Sequence, residues 1–181
     1  MNSKIIFAVG GLLSLLFLIS LFVPVGTGRI SKIEHQKLRN RNSMKALEIA
    51  INGYQVEYNL PPGALQSPSS ETTPARSQGP LIQSLMAQNK IDNPRNIIFF
   101  EPNIRKGNSS GLIPDHQPAS FVDSWGQPYY ILVDSDADQQ IPNPDPSPKK
   151  SSPVLNSKTI IYSSGPDQDP LTWDDNITSW E

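Results

Sequence analysis

Four aspartates lie close together near the end of the sequence, where Asp167, Asp169, Asp174 and Asp175 fall within nine residues. Gly165 and two nearby prolines favour turns here rather than a helix or a strand. Calcium takes six to eight oxygen ligands, and carboxylates and backbone carbonyls on a flexible loop suit it. Carboxylates this close repel one another unless a cation neutralises them. The segment therefore predicts either a calcium-binding loop or a solvated acidic turn.

A second acidic pattern, D-S-D-A-D, occupies residues Asp134–Asp138. Ile141 and Asp145 also stand at the positions of an EF-hand-like loop that begins at Asp134. However, Gln139 stands where that loop needs a glycine, and no helices are predicted on either side. The pattern therefore leaves two interpretations open, a second cation site and a hydrated turn at the end of a strand.

The composition argues against enzymatic catalysis and nucleic-acid binding. The chain has no cysteine, which excludes disulfides, thiolate zinc sites and cysteine nucleophiles. It has two histidines, His35 and His116, and no nucleophile elbow, zinc motif or phosphate loop. Residues 101–181 hold twelve acidic and five basic side chains, a poor charge for nucleic-acid binding. We therefore expect neither an enzyme nor a nucleic-acid binder, and no small-molecule substrate.

The acidic patterns follow segments that are typical of short strands. The two clearest are Pro128–Asp134 and Lys158–Ser163, rich in β-branched and aromatic residues, and Ile97–Phe100 resembles a third, buried strand. A short helix is predicted over Leu81–Gln88. Alternating prolines between residues 141 and 153 predict that this connection does not pair into a sheet. Residues 61–181 are thus expected to form one small α+β domain with about three antiparallel strands and long loops.

An amphipathic helix is predicted over residues 29–60, before this domain. Its apolar stripe includes Met44, Leu47, Ile51 and Tyr54, at spacings of three and four, and Pro61-Pro62-Gly63 ends it. We expect the stripe to pack on the sheet.

The first 28 residues are predicted to be a transmembrane anchor. Residues Ile5–Val25 carry no charge, and as a helix they would be about 32 Å long, enough for a ~30 Å hydrocarbon core. A cleaved signal peptide is the alternative, although its apolar region usually spans about 7–15 residues. Six basic residues between Arg29 and Lys45 follow the segment, against Lys4 before it, so the positive-inside rule places the domain in the cytoplasm.

Three motifs together resemble the C-terminal domain of the major pseudopilin of bacterial type II secretion systems, in the type IV pilin-like superfamily. They are D-S-W-G-Q-P-Y at Asp123–Tyr129, I-Y-S-S-G-P-D at Ile161–Asp167 and D-D-N-I-T-S-W at Asp174–Trp180. The order of anchor, amphipathic helix, proline stop and small sheet is also similar. The stretch Asn93–Pro102, NPRNIIFFEP, is similar to pseudopilin-like proteins as well.

The resemblance implies a pilin-like fold, in which the spanning helix and its continuation pack on the sheet. It implies a non-enzymatic subunit of a type II secretion or type IV pilus-like machine for protein secretion. The partners would be the cytoplasmic membrane and other pseudopilins or secretion-machine components. The chain would cross the bacterial cytoplasmic membrane once, with its domain on the periplasmic side, opposite to what the charges alone predict.

The resemblance also implies a calcium site, because the corresponding loop binds calcium in this family. Carried over by position, side-chain oxygens would come from Asp167, Asp174 and Asp175, backbone carbonyls from Ser164 and Asp169, and a further ligand from Thr172.

The sequence departs from the family at the anchor. Pilin precursors are cut after a glycine that precedes a phenylalanine-like residue, and a glutamate follows in the mature helix. Here Leu12 follows Gly11, and no glutamate occurs in the apolar segment. This departure favours an alternative function, a membrane-tethered extracytoplasmic binding or sensory module that has the pilin-like fold but does not polymerise.

Overall fold

The computed structural model describes residues 27–115, 118–147 and 152–180. The predicted anchor Ile5–Val25 lies outside these residues. The chain divides into two compact units, Met1–His35 and Gln36–Glu181. In the first unit the described residues, 27–35, are helical.

The described residues form two α-helices and eight short strands. The helices are α1 (Thr27–Tyr58) and α2 (Pro80–Leu85), with a 3₁₀ turn at Gly63–Leu65 between them. The strands are β1 (Ala75–Arg76), β2 (Gly111–Ile113), β3 (Ser120–Val122), β4 (Tyr130–Val133), β5 (Ile141–Pro142), β6 (Val154–Leu155), β7 (Thr159–Ser163) and β8 (Ile177–Thr178).

The strands form one four-stranded sheet and two small pairs. The larger sheet has the order β1-β4-β7-β8, and all its neighbours are antiparallel. Strands β2 and β3 pair separately, as do β5 and β6. Strand β7 is buried along its whole length, as expected for the centre of the sheet. The loop that follows β7 therefore leaves the sheet from a buried residue, Ser163.

One face of α1 covers the core of the larger unit. Met44, Leu47, Ile51 and Tyr54 are buried, whereas Ile49 on the other side of the helix is 62% exposed. Burying one such side chain contributes about 1.5–3 kcal/mol, more than the few tenths of a kcal/mol that separate ordinary residues in helix propensity. The predicted stripe thus lies on the domain, and burial determines how the helix is oriented.

The predicted fold class is wrong in two respects. Among the described residues, neither helix has the length and apolar character needed to cross a membrane. The main sheet has four strands rather than about three, and two further strand pairs accompany it. Strands β1 and β8 are only two residues long, and pairing with longer neighbours stabilises them.

The predicted strand Ile97–Phe100 is also wrong, because this segment is irregular. The Asn93 side chain accepts a hydrogen bond from Ile97 N (3.1 Å) and donates one to Ile97 O (2.7 Å). Local bonds of this kind compete with sheet pairing. Phe99 N and Phe100 N both donate to Leu85 O at the end of α2, which fixes the segment against that helix instead.

The proline-rich connection also differs from its prediction, because its first two residues do pair. Ile141 lies opposite Leu155, and Pro142 lies opposite Val154. Ile141 is fully buried against Leu132 and Ile160, so the burial of its side chain favours the pairing. Pro142 is tolerated because a two-residue edge strand requires few donors.

Candidate metal site in the C-terminal loop

The acidic aspartates lie in the loop between β7 and β8. Tyr162 and Ser163 pair with Thr178 and Ile177, so both ends of the loop are held by the same antiparallel ladder. The loop leaves the sheet at Ser164, which is buried, and residues 166–169 are exposed. A closed loop of this kind keeps its first and last residues close together.

Asp167 is the centre of the hydrogen bonds in this loop. Its Oδ1 accepts from Asp169 N at 2.9 Å, and its Oδ2 accepts from Thr172 Oγ1 at 2.5 Å. Thr172 Oγ1 also lies 3.0 Å from the backbone carbonyl of Asp169. These donors, Thr172 first, hold the pKa of Asp167 below its ordinary value. Asp167 is therefore a carboxylate at neutral pH, as a calcium ligand must be.

Several oxygens at the base of the loop are buried, and none of the described residues forms a hydrogen bond with them. They are Ser164 Oγ, Asp175 Oδ1 and Asn176 Oδ1, whereas Asp175 Oδ2 accepts from Asp167 N at 3.3 Å. Leaving a buried polar group unpaired costs about 1–3 kcal/mol, and more when the group is charged. A hard cation would satisfy such oxygens, because its preferred ligands are carboxylates, carbonyls and water.

Gly165 allows the two sides of the loop to approach each other. It has φ = +67°, and a Cβ at this position would lie 2.5 Å from the backbone oxygen of Asp175 and 3.0 Å from its Cγ. Any other residue would push Asp175 away or change the path of the chain. The close approach of Asp175 to this side of the loop therefore depends on the glycine.

The structure places all six predicted ligands in one loop but does not fully assemble them. Hydrogen bonds connect Asp167 with Asp169, Thr172 and Asp175, and Ser164 is adjacent to the glycine that contacts Asp175. Asp174 is exposed. Within the described part of the chain, no three of the loop's aspartates have carboxylate oxygens within 4.8 Å of one another. The residues fit a calcium ion chemically, and binding would require Asp174 to turn inward.

A buried aspartate outside the loop supports its base. Asp123 is fully buried, its Oδ1 accepts from Trp125 N and Gln127 N at 2.9 Å, and its Oδ2 accepts from Ser163 Oγ at 2.6 Å. Burial raises the pKa of Asp123 although these hydrogen bonds lower it. The sequence motif includes Asp123, but no signal in the sequence indicates that its carboxylate contacts the end of β7.

Aromatic rings fix the middle of the loop on the sheet. The Trp173 ring lies 5.1 Å from Tyr162 and 6.4 Å from Trp180, and Tyr162 stacks on Tyr130 at 4.8 Å. Trp173 is next to Thr172 and Asp174 in the chain. Its packing therefore restricts the two neighbouring predicted ligands.

The other acidic pattern forms a cluster with a residue that sequence spacing cannot identify. Carboxylate oxygens of Glu71, Asp134 and Asp136 lie within 4.8 Å of one another, and Asp138 is not part of this group. Glu71 comes from the loop before β1, 63 residues before Asp134, so no local motif contains it.

The carboxylates of this cluster accept hydrogen bonds from the backbone. Asp134 accepts from Ala137 N at 2.7 Å and from Gln139 N at 2.8 Å, and Glu71 accepts from Ser135 N at 2.7 Å. The hydrogen bond from Asp138 N lowers the pKa of Asp136, but desolvation and neighbouring carboxylates outweigh it and raise that pKa. The geometry is that of a turn closed by its own side chains.

Comparison with known proteins identifies no relative: no protein-family model matches the chain, and neither the curated proteins nor the solved structures give a significant match. The similarity to pseudopilins therefore rests on the sequence motifs.

Proposed function

We propose that this chain is a non-enzymatic assembly subunit of the pseudopilin kind, in a type II secretion or type IV pilus-like machine, with a C-terminal loop that calcium stabilises. The observation that carries the proposal is that two oxygens of the loop, Ser164 Oγ and Asp175 Oδ1, are buried and have no hydrogen-bond partner among the described residues, while Asp175 Oδ2 accepts from Asp167 N. Both residues are among the ligands that the sequence motifs predict. Calcium would neutralise the loop's carboxylates and join the end of β7 to the start of β8.

The residues that would hold the ion are those predicted from the motifs. Calcium supplies no catalytic chemistry in this proposal, and its effect is on stability, because a ligand that binds only the folded state shifts the folding equilibrium. The ligands would be Ser164, Asp167, Asp169, Thr172, Asp174 and Asp175.

Exposed apolar residues on α1 support a role in assembly. Leu38, Ile49 and Val56 are 56%, 62% and 81% exposed. They are spaced eleven and seven residues apart, so they lie within about 20° of one line along the helix at 3.6 residues per turn. Apolar residues aligned on an exposed helix face favour packing against another helix. The proposed partners are other pseudopilin-like subunits.

The proposed location is the cytoplasmic membrane, where the apolar segment Ile5–Val25 would attach the chain, with the domain on the periplasmic side. Calcium sites of extracytoplasmic modules bind with Kd values of about 10⁻⁴–10⁻³ M. Residues 166–169 of the acidic loop are exposed to solvent. We expect a loop this exposed to bind calcium with an affinity in that weak range.

Cross-linking tests the assembly role directly. The chain has no cysteine, so a Leu38→Cys/Val56→Cys variant of the full chain carries two thiols, both on the exposed face of α1. Treating native membranes with a bis-maleimide should produce a ladder of dimers, trimers and larger species, because each chain can join two neighbours. The readout is an immunoblot of the denatured membranes.

The control is the variant Thr72→Cys/Lys106→Cys, which carries its two thiols on exposed loops instead of on α1. It should remain mainly monomeric under the same conditions. Monomers from both variants would contradict the assembly role and favour the tethered module that does not polymerise.

A further inference from the structure

We infer that Asp123 and Ser163 are positioning residues for the calcium loop: the buried Asp123 carboxylate holds the Ser163 hydroxyl, and that hydroxyl fixes the backbone where the loop begins. The inference rests on the proposed calcium site and adds two residues to it that are not themselves ligands. It makes calcium affinity depend on the turn between β3 and β4, more than 30 residues earlier in the chain.

A short series of contacts connects the turn to the loop. Ser163 Oγ donates to Asp123 Oδ2 at 2.6 Å and accepts from Gly165 N at 3.2 Å. The Gly165 backbone in turn lies directly against Asp175. Ser163 is fully buried, so water does not compete for its hydroxyl. The hydroxyl therefore sets the direction in which the chain leaves β7, directly before the first predicted ligand, Ser164.

Asp123 can fix Ser163 because it is itself fixed. Its carboxylate accepts hydrogen bonds from two backbone N–H groups. In addition, Asp123 N donates to Gln127 O at 2.9 Å, and Gly126 N donates to Asp123 O at 3.1 Å. The same turn reaches the loop a second time, where Gln127 Nε2 donates to Gln168 Oε1 at 2.8 Å. The turn is thus a rigid support that contacts the loop at its base and near its exposed part.

The charge of Asp123 acts in the same direction as its geometry. The carboxylate is fully buried, and the described residues contain no cationic side chain in an ion pair with it. A negative charge in a low-dielectric interior produces a stronger field than one in water. In its ionised form Asp123 would therefore attract a cation bound in the loop that begins at Ser164. Asparagine at this position would keep the size of the side chain but remove the charge.

The test measures calcium affinity and calcium-free stability separately in the full chain in detergent. Calcium binding is titrated by isothermal calorimetry, and unfolding is followed in EDTA. Ser163→Ala should raise the Kd for calcium by about 10–100-fold, the usual effect of losing a residue that supports metal ligands. Asp123→Asn should also raise the Kd. The double variant should be little worse than the more severe single variant, since both changes break one connection.

Ser70→Ala is the matched control. Ser70 is also buried, and its hydroxyl donates to Leu65 O at 2.8 Å and accepts from Ser67 N at 3.2 Å, away from both the calcium loop and the β3–β4 turn. Both serine variants should lose similar stability in EDTA, and only Ser163→Ala should lose calcium affinity.

The outcomes separate the two claims. If the wild-type chain binds calcium and Ser163→Ala binds it as tightly as Ser70→Ala does, the positioning role is overturned and the calcium site stands. If the wild-type chain does not bind calcium, the calcium proposal fails, and this inference fails with it. If Ser163→Ala does not fold, Asp123→Asn provides the test instead. A folded Asp123→Asn variant that binds calcium with the same Kd as the wild-type chain would also overturn the inference.

Discussion

Replacing Gly165 with alanine is expected to remove the calcium response and to destabilise the fold. The new Cβ would lie 2.5 Å from the backbone oxygen of Asp175, so the β7 and β8 sides of the loop would separate. The left-handed backbone conformation adds a cost of about 1–2 kcal/mol for any residue with a side chain. We expect a total loss above about 2 kcal/mol, in the range of strained positions.

Gly107→Ala separates these two contributions. Gly107 has φ = +56°, and a Cβ there would have no atom within 4 Å, so only the conformational cost remains. At about 2–4 °C per kcal/mol for a chain of this size, Gly107→Ala should lower the melting temperature by only a few degrees and keep the calcium response. Thermal unfolding of both variants, with calcium and with EDTA, is the measurement. Equal behaviour of the two would contradict the close approach of Gly165 to Asp175.

Replacing Ile51 with alanine is expected to cost about 2–5 kcal/mol, because it leaves a cavity under α1. Ile51 is fully buried in the core cluster, together with Leu47 and Tyr54. Ile49 lies on the same helix and is 62% exposed, so Ile49→Ala removes the same atoms from a solvated position. It should change the free energy of unfolding by no more than about 0.5 kcal/mol.

Thermal unfolding of the two alanine variants in detergent tests how α1 is oriented on the domain. The larger loss should occur in Ile51→Ala, while the cross-linking of Leu38 and Val56 described above depends on the opposite face. Similar losses in both variants would show that α1 does not pack on the core through its Met44–Tyr54 stripe.

Elements with a strong local pattern of apolar residues could be predicted from the sequence. The stripe of Met44, Leu47 and Ile51 predicts the buried face of α1, and the apolar β-branched runs predict β4 and β7 at their observed positions. Both runs are short, and it is their β-branched and aromatic residues that favour a strand over a buried helix. The four aspartates of the C-terminal loop likewise mark a segment that the structure closes into one loop.

Features that depend on contacts distant in sequence could not be predicted. The side chain of Asn93 prevents the apolar segment Ile97–Phe100 from pairing, and its effect depends on where α2 ends. Glu71 joins Asp134 only because β1 pairs with β4. The contact between Asp123 and Ser163 likewise requires the folded sheet. In each case a partner more than a few residues away decides the outcome, and periodicity carries no information about it.

The most direct test of the central claim is the melting temperature of the full chain in detergent as calcium is added. At a free calcium concentration one hundred times the Kd, binding should stabilise the fold by about 2.7 kcal/mol, and EDTA should reverse the shift. Asp174→Ala should abolish it. Asp138→Ala, which removes a carboxylate that is also exposed but belongs to the other acidic segment, should leave the shift intact. A wild-type melting temperature that does not change with calcium would contradict the proposed site.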